Sequence, residues 1–166
     1  MAGGPHAELD VTRILRALTE RGVDFVVIGG IAAVLHGSAR NTFDLDVCFA
    51  TDPANLKALG DALMALHARL RGVDAGPFIP DAATLRRIEV LTLSTDAGDL
   101  DVLARPAGAP RFAALRRHAD RFDLGDFSVL VASVEDLIAM KSAAGRPKDR
   151  EAVAELETIR RLRGRV

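Results

Sequence analysis

Tryptophan and tyrosine are absent from this 166-residue chain, and phenylalanine occurs only seven times. That scarcity removes the aromatic platforms on which proteins usually stack single-stranded nucleic acid. A lone cysteine, Cys48, excludes an intramolecular disulfide and gives no reason to expect an oxidising compartment. Its apolar neighbours Val47 and Phe49 make it a small core residue rather than a ligand or nucleophile. There is neither an uninterrupted apolar run long enough to span a bilayer nor a signal-type apolar stretch, so the expectation is no membrane span, no signal peptide and a cytoplasmic home. Excess charge of one sign is missing too. The net charge of −1 gives no global drive toward nucleic acid or an anionic surface. Basic residues do gather late (Arg105, Arg111, Arg116, Arg117, Arg121, Arg146, Lys148, Arg150), which leaves room for a local positive face suited to RNA or another phosphate-rich partner.

What is present is an ordinary folding composition, 49% hydrophobic and 27% charged. At this length one domain over residues 1–166 is the simplest reading. The start, MAGGPH, reads as a frayed end. Apolar residues Leu9, Val11, Ile14, Leu15 and Leu18 predict a helix over Glu8–Glu20 with Gly22 ending it. Phe25–Ile28 reads as a strand, Gly29-Gly30 as a turn, Ile31–Leu35 as a short helix, and the stretch carrying Asp44 and Asp46 as a second strand. Asp52-Pro53 opens a helix whose leucine stripe runs to Gly72. Asp74–Asp81 reads as an irregular loop. Strands follow at Ile88–Leu93 and Asp99–Leu103, separated by the five residues from Ser94 to Gly98 in the manner of an antiparallel hairpin. Arg111–His118 is a short helix, Phe127–Val131 a strand, Ser133 the cap of a helix over Leu137–Ala144, and Asp149–Leu162 the last helix. This order predicts an α/β fold, a mixed sheet flanked by helices with helical elements at the C-terminal end.

The chemistry is concentrated between Phe25 and Phe49, FVVIGGIAAVLHGSARNTFDLDVCF. Aspartates at i and i+2 of a strand project from one face, and paired ionised carboxylates need a partner when they are removed from water. A divalent cation such as Mg²⁺ suits such hard oxygen ligands. Nearby, a Gly-Gly turn leading into a helix offers backbone N–H groups to phosphate oxygens. The later segment GDLDVL repeats the spacing with Asp99 and Asp101. Asp101, set among Leu100, Val102 and Leu103, is the candidate third carboxylate, whereas Asp99 beside Gly98 reads as solvent-facing. Edge-strand aspartates that merely keep a strand soluble are the bland alternative for all of them.

The pattern G-G-x(13)-D-x-D followed by a third aspartate on a later strand resembles the DNA polymerase β-like nucleotidyltransferase superfamily. The wider string GGIAAVLHGSARNTFDLD, with AMKSAAGRPKDREAVAEL further on, is most similar to the AbiEii-type and related minimal nucleotidyltransferases of bacterial toxin–antitoxin and defence systems. The resemblance spans most of Val23–Leu156. It implies that Asp44, Asp46 and Asp101 ligate Mg²⁺, and that Gly29 and Gly30 bind the β- and γ-phosphates of a nucleoside triphosphate. Gly30 stands where many members carry a serine. Arg40 and Thr42, in the string R-x-T-x-D-x-D, join the nucleotide-binding set. Arg40 either pairs with a phosphate or forms an ion pair with one of the same aspartates; Thr42 braces the start of the strand. Lys141 and Lys148 match the family's lysines and extend the nucleotide-binding set, with Lys141 facing the triphosphate. Asp149 either caps the last helix or shares in catalysis. His36 reads as a packing histidine at a helix end.

The function so implied is Mg²⁺-dependent transfer of a nucleoside monophosphate from an NTP to tRNA, a protein or a small molecule, with a toxin or antitoxin protein as a possible partner. The competing class is a degenerate nucleotidyltransferase acting only as a binding module, and loss of the aspartate triad would be its signature. An acidic cleft beside the site would favour a small cationic acceptor, and a basic one would favour RNA.

Overall fold

The computed structural model describes residues 7–72, 78 and 80–164. Along the chain run α1 (Val11–Glu20), β1 (Phe25–Ile28), α2 (Gly29–Leu35), β2 (Asp44–Phe49), α3 (Pro53–Ala65), β3 (Arg69–Leu70), α4 (Ala82–Arg86), β4 (Val90–Thr95), β5 (Gly98–Leu103), α5 (Phe112–His118), β6 (Asp120–Asp123), β7 (Ser128–Val131), α6 (Val134–Ala144) and α7 (Pro147–Arg163). The strands form one mixed sheet in the order β3-β4-β5-β2-β1-β7-β6. The segment MAGGPH lies outside the described residues, as does most of the loop expected over Asp74–Asp81, although Asp81 itself caps α4 through the N–H of Thr84.

Beside the central strand β2 lies β1, whose four residues are all buried, as an apolar run with both faces covered should be. It pairs antiparallel with β2 and parallel with β7. On its far side β2 pairs parallel with β5, which turns back as an antiparallel hairpin with β4. In β2 and β5 one face is apolar and fully buried (Leu45, Val47, Leu100, Val102), while the alternate residues carry the aspartates. The apolar face joins the same core as Ile14, Leu15 and Leu18 of α1 and Leu56, Leu59 and Leu63 of α3. α6 and α7 pack on each other, with α2 against both β2 and α6.

Several expected boundaries move, each for a local reason. The helix opened by Asp52-Pro53 stops at Ala65 instead of running to Gly72. His67 adopts φ +52, and the N–H groups of Ala68 and His67 bond back to Leu63 O and Met64 O. That is a Schellman ending with histidine in the place glycine usually takes, so no sequence signal marked it. The chain released there forms β3. The β4–β5 turn is not five residues long. Ser94 and Thr95 pair with Asp99 and Gly98, leaving Asp96-Ala97 as the turn, and the Thr95 hydroxyl donates to Gly98 O at 2.7 Å. β6 and α4 were not anticipated. α2 begins at Gly29 itself, so the two glycines open the helix rather than precede it. The capping reading of α6 holds, with the Asp136 N–H donating to Ser133 Oγ at 3.1 Å and Gly145 ending the helix at φ +63. Among the described residues, no helix is long and apolar enough to cross a membrane.

Candidate functional site

Parallel pairing of β2 with β5 sets Asp44 opposite Asp99 and Asp46 opposite Asp101. Residues opposite one another on adjacent strands share a face. Two rows of carboxylates therefore stand side by side, and one oxygen from each of Asp44, Asp46 and Asp101 lies within 4.8 Å of the others. The third carboxylate anticipated from GDLDVL is thus brought to the first two by strand register.

The electrostatics follow from that crowding. Burial, and then the charges of Asp44 and Asp101, push the Asp46 carboxyl up to about 7, with Lys141 pulling the other way. Asp44 is also raised, first by burial and then by Asp101, with Arg71 opposing. Such a trio is stabilised by a cation placed among its oxygens, and the donor set suits Mg²⁺.

The two glycines make room for this arrangement. Gly29 has φ +70, and a Cβ there would lie 2.1 Å from Asp46 Oδ2 and 3.0 Å from Asp46 Cβ. A Cβ at Gly30 would lie 2.8 Å from Thr42 Oγ1. Each glycine of α2 therefore yields its side-chain space to a residue at or just before β2: Gly29 to Asp46, and Gly30 to Thr42. The Thr42 hydroxyl, which donates to Asp44 O at 3.2 Å, fills the space into which a serine at position 30 would project.

The cationic residues fall into separate groups. Lys141 on α6 lies 3.7 Å from Asp149 of α7 and is close enough for its charge to act on Asp46. Asp149 is buried and is held well below the usual carboxylate range, first by its hydrogen bond from Arg146 at 2.8 Å, with Lys141 adding to it. It ties both cations to the first turn of α7. Lys148 is exposed and makes no ion pair among the described residues. Arg40, in the loop before β2, pairs with neither Asp44 nor Asp46. It reaches Glu151 at 3.4 Å and Glu155 at 3.7 Å, both on α7. The same loop is held there by Ser38, whose hydroxyl donates to Glu155.

Asp99 is partly buried on the carboxylate face, where Ser94 Oγ donates to it at 3.3 Å, rather than facing solvent as expected. His36 is buried, bonds to Ala132 O at 2.8 Å and sets its ring edge-on to Phe122. Burial pushes the Cys48 thiol up to about 12, which suits a core residue. Arg71, just past β3, was not anticipated. Its Nη2 donates to Asp101 Oδ1 at 2.7 Å and to Leu93 O at 2.8 Å. Nothing in the sequence singles it out, because its placement depends on β3, which was read as helix.

A cavity of about 190 Å³ adjoins this cluster, bounded by Ile28, Gly29, Leu137, Met140, Lys141 and Arg146 among others. A larger groove, about 550 Å³, lies past the C-terminal ends of β2 and β5 between Phe49, Arg105 and Arg111, and shares Pro106 with the smaller cavity. Ala104 on its rim is three residues beyond Asp101, about 10 Å along the strand. The smaller cavity shares residues with the carboxylate surroundings and is the one adjacent to any chemistry there.

Comparison with known proteins gives a consistent picture. Residues 13–153 match the family described as nucleotidyl transferase AbiEii toxin, type IV TA system. A search of curated proteins finds no match. Among solved structures, the lincosamide antibiotic adenylyltransferase LnuA, crystallised with lincomycin, superposes with a TM-score of 0.62 at 16% identity, covering 92% of this chain and 99% of that one. The crystal structure of ANT(2″)-Ia with adenylyl-2″-tobramycin superposes at 0.56 with 19% identity, covering 93% and 92%. At these identities the likeness is one of fold.

Proposed function

Because the chain belongs to the AbiEii family of nucleotidyltransferases, we propose that it moves a nucleoside monophosphate from an NTP to an acceptor hydroxyl on the face carrying Asp44, Asp46 and Asp101. The observation that carries this reading is the register of β2 against β5, which gathers three hard-oxygen donors whose mutual repulsion a divalent cation would relieve. Asp44, Asp46 and Asp101 would hold Mg²⁺. Bound there, it would supply charge neutralisation at the α-phosphate and acidify the attacking hydroxyl.

The chain's own residues do the rest. Gly29 yields its side-chain space to the Asp46 carboxylate, which sets the backbone N–H groups at the start of α2 directly beside the carboxylate face for the triphosphate. Lys141, anchored by Asp149, turns a positive charge toward the same edge, and Arg146 sits beside it. Arg40, Thr42 and Lys148 complete the nucleotide-binding set, with Thr42 bracing the approach to Asp44. Arg71 occupies Asp101 Oδ1, which leaves Oδ2 to take the proton of the acceptor hydroxyl. As that oxygen bonds to the α-phosphorus, the bond from the α-phosphorus to the bridging oxygen breaks and pyrophosphate leaves. Stabilising the charge that develops on the phosphoryl oxygens is the main catalytic contribution.

We place residues 1–166 in a single nucleotidyltransferase domain working in the cytoplasm, as one component of a toxin–antitoxin pair with a protein partner. The acceptor is tRNA, a protein or a small molecule. The test is incubation with each α-labelled NTP, Mg²⁺ and a cell extract, followed by separation of RNA, protein and small molecules. Label in one of these classes, lost with Asp44→Asn and Asp46→Asn, is the expected result. No labelled acceptor with any NTP would favour the binding module.

A further inference from the structure

Arg71 is the one cation that hydrogen-bonds directly to the carboxylate triad among the described residues, and its placement is unlike that of a surface ion pair. The Arg71 N–H donates to Thr92 O at 3.0 Å, extending the β3–β4 ladder and fixing the direction in which its side chain leaves the backbone. The guanidinium is then shared between two strands. Nη2 bonds Leu93 O of β4 and Asp101 Oδ1 of β5, while Nε lies 3.3 Å from Asp99 Oδ2. The Arg71 side chain is 26% exposed and that of Asp101 is 17% exposed, so water screens this contact only partly. A planar fork that meets two carboxylates of one strand and a backbone carbonyl of the next has little freedom to swing away.

The geometry points to Arg71 as a resident counter-cation of the triad: it fixes the orientation of Asp101 and, by its charge, weakens binding of a bare divalent cation, so that the cation is taken up together with the polyphosphate. This rests on the reading of Asp44, Asp46 and Asp101 as a divalent-cation centre. Two consequences have opposite signs. Holding Asp101 Oδ1 fixes the carboxylate and leaves Oδ2 without a bond to Arg71, which favours turnover. Placing a guanidinium within hydrogen-bond distance of one ligand sets a positive charge a few ångströms from where the cation would sit, which opposes its binding. A bound triphosphate brings enough negative charge to reverse that opposition.

The test separates charge from geometry. Arg71→Gln removes the charge and keeps a neutral amide at the level of Nε, whereas Arg71→Lys keeps the charge, and both lose the fork. Mn²⁺ binding to the nucleotide-free protein is read by electron paramagnetic resonance, with circular dichroism confirming that each variant is folded. Arg71→Gln should bind Mn²⁺ about tenfold more tightly, roughly 1.4 kcal/mol, and turn over NTP at least tenfold more slowly. Arg71→Lys should keep wild-type Mn²⁺ affinity within about twofold and also turn over slowly. A brace needed only for folding would lower both readings together. Unchanged or weaker Mn²⁺ binding by a folded Arg71→Gln overturns the inference. Absence from the wild type of any Mn²⁺ site that Asp46→Asn removes overturns the metal-centre reading itself, and this inference with it.

Discussion

Replacing Asp46 with asparagine should stabilise the metal-free protein, by a margin that opens above about pH 4 and is complete above about pH 7. The Asp46 carboxyl titrates at about 7, against an ordinary value of 3.8, because it is buried beside Asp44 and Asp101. Between those two values the folded chain holds a proton that the unfolded chain has released. Stability therefore falls as pH rises through the window, and the contribution is fully lost above about 7. At about 1.4 kcal/mol per pKa unit the ceiling is about 4 kcal/mol. Partial exposure and the sharing of protons with Asp44 and Asp101 reduce the expected gain to about 2 kcal/mol. Asparagine keeps the size of the side chain and removes its charge. In EDTA at pH 8, Asp46→Asn should unfold at higher urea, with a melting temperature raised by about 4–8 °C. At about pH 3.5, below both values, the two proteins should be nearly equal, and at pH 5 the variant should already hold about a third of the margin. Added Mg²⁺ should then stabilise the wild type and leave the variant unmoved. An Asp46→Asn protein no more stable than wild type at pH 8 would refute the reasoning, because it would mean that the three carboxylates do not burden one another.

Further expectations follow from the glycines and from Asp149. Gly29→Ala adds about 1–2 kcal/mol for a left-handed alanine and drives Cβ into Asp46, so urea melts should show at least that loss and kcat should fall about 100-fold. Gly30→Ser should cost about 1–3 kcal/mol by crowding Thr42, and Thr42→Ala in the same chain should recover most of it in the same melts. Asp149→Asn releases Lys141 and Arg146, so steady-state kinetics should show the KM for NTP rising roughly tenfold with a smaller change in kcat.

How far such residues were legible in the sequence depended on whether their signal was local. Phe25–Ile28 and Asp44–Phe49 announce themselves as strands through composition and alternation, and Asp52-Pro53 and Ser133 announce helix starts through capping chemistry. The carboxylate pairs were visible as i, i+2 spacings, and strand register turned them into a cluster. By contrast, the end of α3 rests on a histidine doing a glycine's work, and β3 is only two residues long. Arg71 follows both of those elements and so was hidden with them. The reason for two consecutive glycines was hidden as well. Their backbone freedom is readable, but the side chains of Asp46 and Thr42 that fill the vacated space belong to a segment more than ten residues away.

The most direct measurement of the central claim is a pair of incubations with the same NTP, one labelled on the α-phosphate and one on the γ-phosphate, with Mg²⁺ and the acceptor fraction. Nucleotidyl transfer on the Asp44, Asp46 and Asp101 face predicts α-label on the acceptor, γ-label released as pyrophosphate, and neither event with Asp46→Asn. Retention of γ-label on the acceptor, or α-label incorporation undiminished in Asp46→Asn, would contradict it.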